Sequence, residues 1–537
     1  MGGLFCGRLE RVAFGWCRCG MMLSMAFLLF LGGAMSRPSH AQSAASPGNA
    51  EDRELELTLA NAIRLAVQHN LDIERERFGP QIARTDVETA RAEFDPVVGA
   101  EASVSQTKRL PTTEFQQGDG TFAPQTPFSK NGELTPLLRQ KVITGGSYEL
   151  RFVNTRQNIS PTSSGNISRT IADPRYESSL ELSFTQPLLR DFGIEFNRSP
   201  IRRAEKSEAI ARQRVLQAIL DVVFQVQERY WEMVFRLQDL DAKRESQKLA
   251  EDFLAENKIR VELGTLAPIE LVQAETQVKL REEEVIVAEA AVREAEDALK
   301  EVINIPDMLG SWNIRLKPTD KPTFEPISAL VVEDQLREAL VKRPDIIESQ
   351  LSIESREIAR DEAMNQRLPR LDLEARGSLN SFGKDAGEAL SDLSEINGYQ
   401  WVFGLQFEYP LGNRAAKNNL ARRKLELRQE LVAQRRLQLS IVREVRQAIR
   451  GIETAIKRVE VTRAATKLAQ TQLDAEQEKF RLGLSTSFRV LEFQSDLTDA
   501  RSSEVQALSD YNVELGRLDL RTGKLRYVDY PTQTNGG

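Results

Sequence analysis

Nucleophilic and metal chemistry draws on Cys, His and clustered carboxylates, and this 537-residue chain has only three cysteines and two histidines. Cys6, Cys17 and Cys19 precede the apolar run Met21 to Met35, and His40 follows it. Arg8, Arg11 and Arg18 also precede that run, and Ser39-His40-Ala41 closes it with small residues. A basic stretch, a short apolar stretch and a small-residue end read as a secretory signal peptide over residues 1–41. The run is too short for a comfortable transmembrane helix, and no lipobox-like residues precede a cysteine at its end. Cleavage after Ala41 would remove every thiol and leave His69 as the one histidine. Thiol nucleophiles, Cys-based zinc sites and multi-His metal sites would then lack their ligands. His69 ends the helical pattern Ala66-Val67-Gln68-His69-Asn70, where a solvated histidine is the ordinary reading. Between Gly516 and Lys524 six residues separate the glycines instead of the four of a phosphate loop, and Leu525 replaces the Ser/Thr. No catalytic residue, metal site or cofactor is therefore expected.

The charge balance excludes a further class. There are 72 Lys plus Arg against 79 Asp plus Glu, a net charge of −7. Loss of four basic residues and one acidic residue with the leader takes this to −10. No clustered basic stripe appears, so no nucleic-acid partner is expected. With 28% charged and only 7% aromatic residues, the chain favours long solvated helices over several compact cores.

Those helices repeat. A shift of 219 residues aligns Val223 with Val442, Val226 with Val445, Leu263-Gly264 with Leu482-Gly483, and Leu299 with Leu518. Near the start of each half the shift is 273, pairing Ala66 with Ala339, Asp72-Ile73 with Asp345-Ile346, and Pro96 with Pro369. The first half thus carries 54 extra residues between Pro96 and Val223. Each half reads as helix, strands, very long helix, break, helix. Val442, Val445, Ile449, Ile452, Ile456 and Val459 alternate spacings of three and four, as a coiled-coil seam does. Ile219, Val222, Val226, Tyr230, Met233, Leu237 and Leu240 nearly match them. The first long helix is expected from about Pro200 to Glu262, roughly 95 Å at 1.5 Å per residue. Gly264 and Gly483 sit where each long helix must turn, and Pro268 can open the first returning helix.

Strand patterns lie between the helices. Trp401, Phe403, Leu405, Phe407 and Tyr409 alternate with Val402, Gly404, Gln406 and Glu408, and Leu371 to Leu379 alternate likewise. In the first half the runs are Val98 to Val104 and Leu180 to Phe184. Such alternation fits a transmembrane β-barrel, and equally a soluble amphipathic sheet. Four strands cannot close a barrel in lipid, because open edges would leave backbone groups unsatisfied. A membrane reading therefore requires oligomerisation, and three copies would give twelve strands. The insertion Pro111 to Asp173 is rich in Pro, Gly, Ser, Thr and Asn, with room for one extra strand at Tyr148 to Asn154. The segment Pro306 to Pro326, where the halves join, holds four prolines.

This order of elements resembles the TolC family of outer-membrane efflux and secretion channels over Leu57 to Gly523. The residues that carry the resemblance include Leu57-Thr58-Leu59-Ala60-Asn61-Ala62-Ile63, Asn70-Leu71-Asp72, and Gln186-Pro187-Leu188 with Tyr409-Pro410-Leu411. They also include two tips, Gly264-Thr265-Leu266-Ala267-Pro268 and Arg481-Leu482-Gly483-Leu484-Ser485-Thr486. The resemblance implies a mixed α/β membrane protein. Duplicated coiled-coil helices would form an α-helical barrel in the periplasm. Four β-strands per protomer would build a trimeric twelve-strand barrel in outer-membrane lipid, with Trp401, Phe403, Leu405, Phe407 and Tyr409 facing that lipid. It further implies a homotrimer whose tips, Leu263, Gly264, Thr265, Leu482, Gly483, Leu484, Ser485 and Thr486, contact a periplasmic adaptor (membrane fusion) protein joined to an inner-membrane pump. The acidic entrance ring of the family falls on Arg489 and Glu492, where Arg489 departs from the pattern. Glu270, opposite Arg489 in the repeat, is expected to pair with it and hold the entrance closed.

The expected organisation is a signal peptide (1–41), a first repeat (42–303) with a loop insertion (109–176), a Pro-rich linker (304–329) and a second repeat with a tail (330–537). The expected function is passive export through the outer membrane. A periplasmic or surface coiled-coil scaffold is the alternative, and it leaves the two duplicated strand sets without a role.

Overall fold

The computed structural model describes residues 54–108, 114–116, 122–124, 128–159, 174–305, 311–325 and 330–524. The expected signal peptide, parts of the insertion and linker, and the tail beyond residue 524 lie outside the described residues. The first half contains β1 (Glu54–Leu57), α1 (Leu59–His69), α2 (Leu71–Arg91), β2 (Val97–Lys108), β3 (Glu114–Gln116), β4 (Phe122–Pro124), β5 (Phe128–Lys141), β6 (Ser147–Ile159) and β7 (Arg175–Pro187). It continues with α3 (Ile194–Asn197), α4 (Ser199–Glu262) and α5 (Pro268–Ile303). After β8 (Arg315–Pro318) the second half contains α6 (Val332–Lys342), α7 (Pro344–Asn365), β9 (Arg370–Gly383), α8 (Ala386–Leu393), β10 (Gly398–Glu408), α9 (Arg414–Arg481) and α10 (Ser487–Thr522).

The 219-residue shift carries the last residue of α4 onto that of α9 and both ends of α5 onto both ends of α10. The 273-residue shift carries both ends of α1 onto both ends of α6. Local chemistry sets these ends. Thr58 Oγ accepts the Asn61 N–H to cap α1, and Asn70 Oδ1 accepts those of Asp72 and Ile73 to cap α2. Pro268 opens α5 at its first turn, where a missing N–H costs nothing. The 64 residues of α4 and 68 of α9 span about 96 and 102 Å at 1.5 Å per residue. Among the described residues, no helix is long and apolar enough to cross a membrane.

The seams become cores. Ile219, Val222, Val226, Tyr230 and Met233 of α4 pack with Ala62, Ile63 and Ala66 of α1 and with Leu299 and Ile303 of α5. In the second half Ile441, Val445, Ile449, Ile452 and Val459 pack with Ala507, Tyr511 and Leu518. The linker is not featureless: its β8 pairs in parallel with β1, Leu55 opposite Leu316. Just beyond β8, Asp320 Oδ2 accepts the Leu59 N–H at 2.6 Å and lies 2.9 Å from the Tyr230 hydroxyl. That hydroxyl also lies 3.0 Å from the Leu57 carbonyl and accepts the Asp320 N–H at 3.2 Å. Burial pushes the Tyr230 phenol well above its usual range, so it stays a neutral donor. Asp320→Ala leaves the Leu59 N–H without its acceptor and is expected to cost about 2–3 kcal/mol. The midpoint of chemical denaturation at constant slope measures this, and a loss under about 0.5 kcal/mol would rule the network out as a stabilising element.

The β-sheet corrects the expected strand count. Six strands, not four, form one antiparallel sheet in the order β10-β9-β7-β6-β5-β2. The first half supplies four of them, because the insertion read as loop contains the hairpin β5–β6. The extra strand expected at Tyr148 to Asn154 lies inside β6. Its partner β5 escaped notice because Leu137 breaks the alternation of Leu134, Pro136 and Leu138, and because Pro136 is a poor strand residue.

Candidate functional site

The far ends of the helical hairpins carry two turns of the same construction. At the first, the Gly264 N–H donates to Val261 O at 3.0 Å and the Thr265 N–H to Arg260 O at 2.9 Å. At the second, Gly483 N–H reaches Phe480 O at 3.0 Å and Leu484 N–H reaches Lys479 O at 2.8 Å. This pair of hydrogen bonds to the last helical turn needs a left-handed residue, and Gly264 and Gly483 provide it at φ of +73° and +76°. The turns leave Leu263 and Leu484 at 73% and 75% exposure, with Leu482 also exposed. Thr265 Oγ donates to Arg260 O at 3.0 Å and Ser485 Oγ to Glu476 Oε1 at 2.5 Å, while Thr486 immediately precedes α10 in extended conformation without a side-chain cap.

Beneath the leucines the two hairpins are joined. Phe253 and Phe480 pack at a tilt with ring centroids 5.2 Å apart, and the Arg260 guanidinium lies over Phe480 at 4.9 Å. Asn257, fully buried, donates from Nδ2 to Ser487 Oγ at 3.0 Å. Glu476 occupies the equivalent position in the second half and is also buried. The Ser485 hydroxyl and Lys479 hold its carboxyl below the usual carboxylate range. Sequence reasoning missed both residues. The signal was a polar side chain on an apolar seam, Ala250-Phe253-Asn257 in one half and Leu473-Glu476-Phe480 in the other.

The expected entrance residues are placed differently from expectation. Glu270 does not pair with Arg489. Its Oε2 accepts the Ser487 N–H at 3.2 Å, joining the start of α5 to the start of α10. A carboxylate at a helix N-terminus is favoured by the dipole and by free N–H groups. Arg489 Nε instead faces Glu476 Oε1 at 3.8 Å, and Glu492 is exposed one turn further along α10. Glu476, near the end of α9, is therefore the nearer acidic partner of Arg489.

At the other end of the molecule the sheet sorts its side chains by polarity. One face carries Val98, Ala100, Ala102 and Val104 of β2, Leu134 and Leu138 of β5, Leu150 and Phe152 of β6, and Leu180, Leu182 and Phe184 of β7. The same face continues through Leu373, Ala375 and Leu379 of β9 to Trp401, Phe403, Leu405 and Phe407 of β10. Trp401, Phe403, Leu405 and Phe407 are about two-thirds exposed, and Tyr409 follows just past the strand. The opposite face bears Glu101, Glu133, Arg151, Glu181, Glu374 and Arg376. Among the described residues, β2 and β10 each have a strand on one side only.

A family model described as outer membrane efflux protein matches residues 153–304 and 335–524. The outer membrane protein TolC of Escherichia coli (strain K12) is 26% identical over 225 residues, which cover 40% of this chain and 43% of TolC. The alignment therefore spans less than half of that curated relative. Among solved structures, the CmeC outer membrane channel of Campylobacter jejuni matches with a TM-score of 0.60 and 15% identity over 87% of this chain and 85% of its own. The outer membrane protein VceC of Vibrio cholerae matches with a TM-score of 0.59 and 15% identity, over 87% and 96%. At such identities the structural likeness speaks for the fold.

Proposed function

Because the chain belongs to the outer membrane efflux protein family, we propose that it is a trimeric outer-membrane duct that passively exports cargo delivered by an inner-membrane pump and a periplasmic adaptor. The observation that carries this reading is the sheet with one continuous apolar face and two open edges. A soluble sheet would bury that face on a core. Here it is exposed, and lipid is the solvent that suits it. Open edges are tolerated in lipid only when a neighbouring copy closes them. The helical hairpins then extend about 100 Å from the sheet and present exposed leucines at their tips. An apolar tip at the end of a charged hairpin is a docking surface for a protein partner. In this reading the pump chooses the cargo, and the duct performs no catalysis.

Near the tip of each copy Arg489 offsets Glu492, and threefold repetition places both in a ring at the narrow end. Single-channel conductance in a planar bilayer tests the duct directly. Discrete, cation-preferring steps are expected from the trimer. Arg489→Ala is expected to raise the conductance by roughly twofold and sharpen the cation preference, because a ring of carboxylates loses its offsetting positive charge. Silence from a folded trimer of both forms would remove the duct reading.

A further inference from the structure

We infer that the trimer closes an eighteen-strand barrel, because the hairpin β5–β6 is part of the barrel wall. The inference rests on the trimeric duct proposed above and adds its strand number and width.

The hairpin lies in the middle of the sheet. It is hydrogen-bonded on one side to β2 and on the other to β7, while the open edges belong to β2 and β10. A flap added outside the wall would itself present an edge, and a plug folded into the lumen would not separate β2 from β7. Register gives the same answer. At one level of the sheet Val98 is opposite Leu138, Leu138 opposite Leu150, and Leu150 opposite Leu182. Leu182 is in turn opposite Gly377, and Gly377 opposite Trp401. The apolar row therefore crosses the hairpin without a step. A lumenal plug meets water on both faces and has no use for one apolar face in register with its neighbours. On the polar face Arg151 of β6 reaches over β5 to Glu101 of β2, at 3.6 Å.

Length and anchoring agree. The 14 and 13 residues of β5 and β6 exceed the roughly 9–11 that a tilted strand needs to cross a bilayer. Their connecting turn is held where strands give way to helices. The Val142 N–H donates to Gly146 O at 2.7 Å, Thr144 O accepts the Gly193 N–H at 3.1 Å, and Thr144 Oγ donates to Gln186 Oε1 at 2.9 Å. Gly145 has a φ of +96°, and a Cβ there would lie 2.2 Å from the Asp191 carbonyl. The chain thus passes too close for any side chain at that point. Asp191 is in turn held by Asn365, whose Oδ1 accepts its N–H at 2.7 Å, so the turn is tied to both halves.

Three copies of six strands give eighteen. With strands about 4.8 Å apart and tilted about 40°, the backbone diameter is roughly 36 Å for eighteen strands and roughly 24 Å for twelve. The mouth is then about half again as wide, and its backbone cross-section about doubles. Bulky cargo is admitted at this end, and the tips remain the narrow point.

A single-particle image of the full chain, extracted and placed in a lipid nanodisc, counts the strands. Eighteen strands around a diameter near 36 Å is the expected result. A closed twelve-strand trimer with the hairpin folded inside would overturn the inference and leave the duct standing. A particle that is not a trimer in lipid would sink the duct reading, and this inference with it. Spin labels give an independent reading when placed singly at Phe152→Cys, Arg151→Cys or Phe403→Cys, with Cys6, Cys17 and Cys19 replaced by serine. The Phe152 label should match the Phe403 label in accessibility to oxygen, and the Arg151 label should respond to a water-soluble nickel chelate. A Phe152 label as open to nickel as that at Arg151 would place the hairpin in the lumen and overturn the proposal.

Discussion

Leu263→Glu combined with Leu484→Glu is expected to reduce export at least tenfold while leaving the yield and stability of the trimer unchanged. Both leucines are exposed, and their backbones are held by bonds to Ile259 O and Lys479 O that do not involve the side chains. The substitution therefore touches no packing within the protomer. Any partner that buries the tips would have to desolvate two carboxylates per copy, six in a trimer, without a matched cation. A tenfold loss requires only about 1.4 kcal/mol, well below the cost of one such burial. Export of the pump's cargo from cells, read beside the amount of trimer in the outer membrane, measures the effect. Methionine at both positions should retain export. Full export with both glutamates would show that the tips are not the docking surface.

Arg343→Met is expected to destabilise the folded chain by about 3 kcal/mol. Arg343 is nearly buried where α6 and α7 meet the middle of α9 and the end of α10. It holds Asp345 in a fork at 2.7 and 3.1 Å, Glu444 of α9 at 2.9 Å and the Arg521 carbonyl of α10 at 3.3 Å. Removing the guanidinium leaves two carboxylates and a carbonyl short of a donor in a largely dry site, which is the expensive way to break such a cluster. Burial by itself would raise the Glu444 carboxyl, but Arg343 and Ser440 outweigh it and hold the group below its usual range. A lowered carboxylate contributes stability above its unfolded value of about 4.3 and loses it as pH falls through the folded value. Stability of the wild-type chain should therefore fall below about pH 4, and Arg343→Met should flatten that limb. Denaturation midpoints between pH 3 and 7 separate the outcomes. A change under 1 kcal/mol with the same acid limb would mean that Arg521, 3.2 Å from Glu444, suffices alone.

Local sequence determined the helices. Gly264 and Gly483 stop α4 and α9 because a left-handed residue is needed there, and Pro268 starts α5 because its first turn needs no N–H. The three-and-four spacing of Ile219 to Met233 marked the core seam, since only that spacing keeps side chains on one face of a helix. The same reasoning found β2, β7, β9 and β10 from alternation, and the duplication from two constant shifts. Apart from the duplication, each of these signals is carried by residues within a few turns of one another.

The strand number and the tip contacts were decided by the tertiary structure. β5 has Leu137 out of phase and Pro136 at its centre, and becomes a strand because β2 and β6 supply partners on both sides. Glu270 matched Arg489 by repeat symmetry, but packing brought it to the Ser487 N–H, 217 residues away, and left Arg489 beside Glu476. Asn257 reaches Ser487 across 230 residues. Spacing along one helix states which residues share a face; it does not state which face of another hairpin meets them. That choice belongs to the packing of Phe253 on Phe480, which sets how the two tips sit side by side.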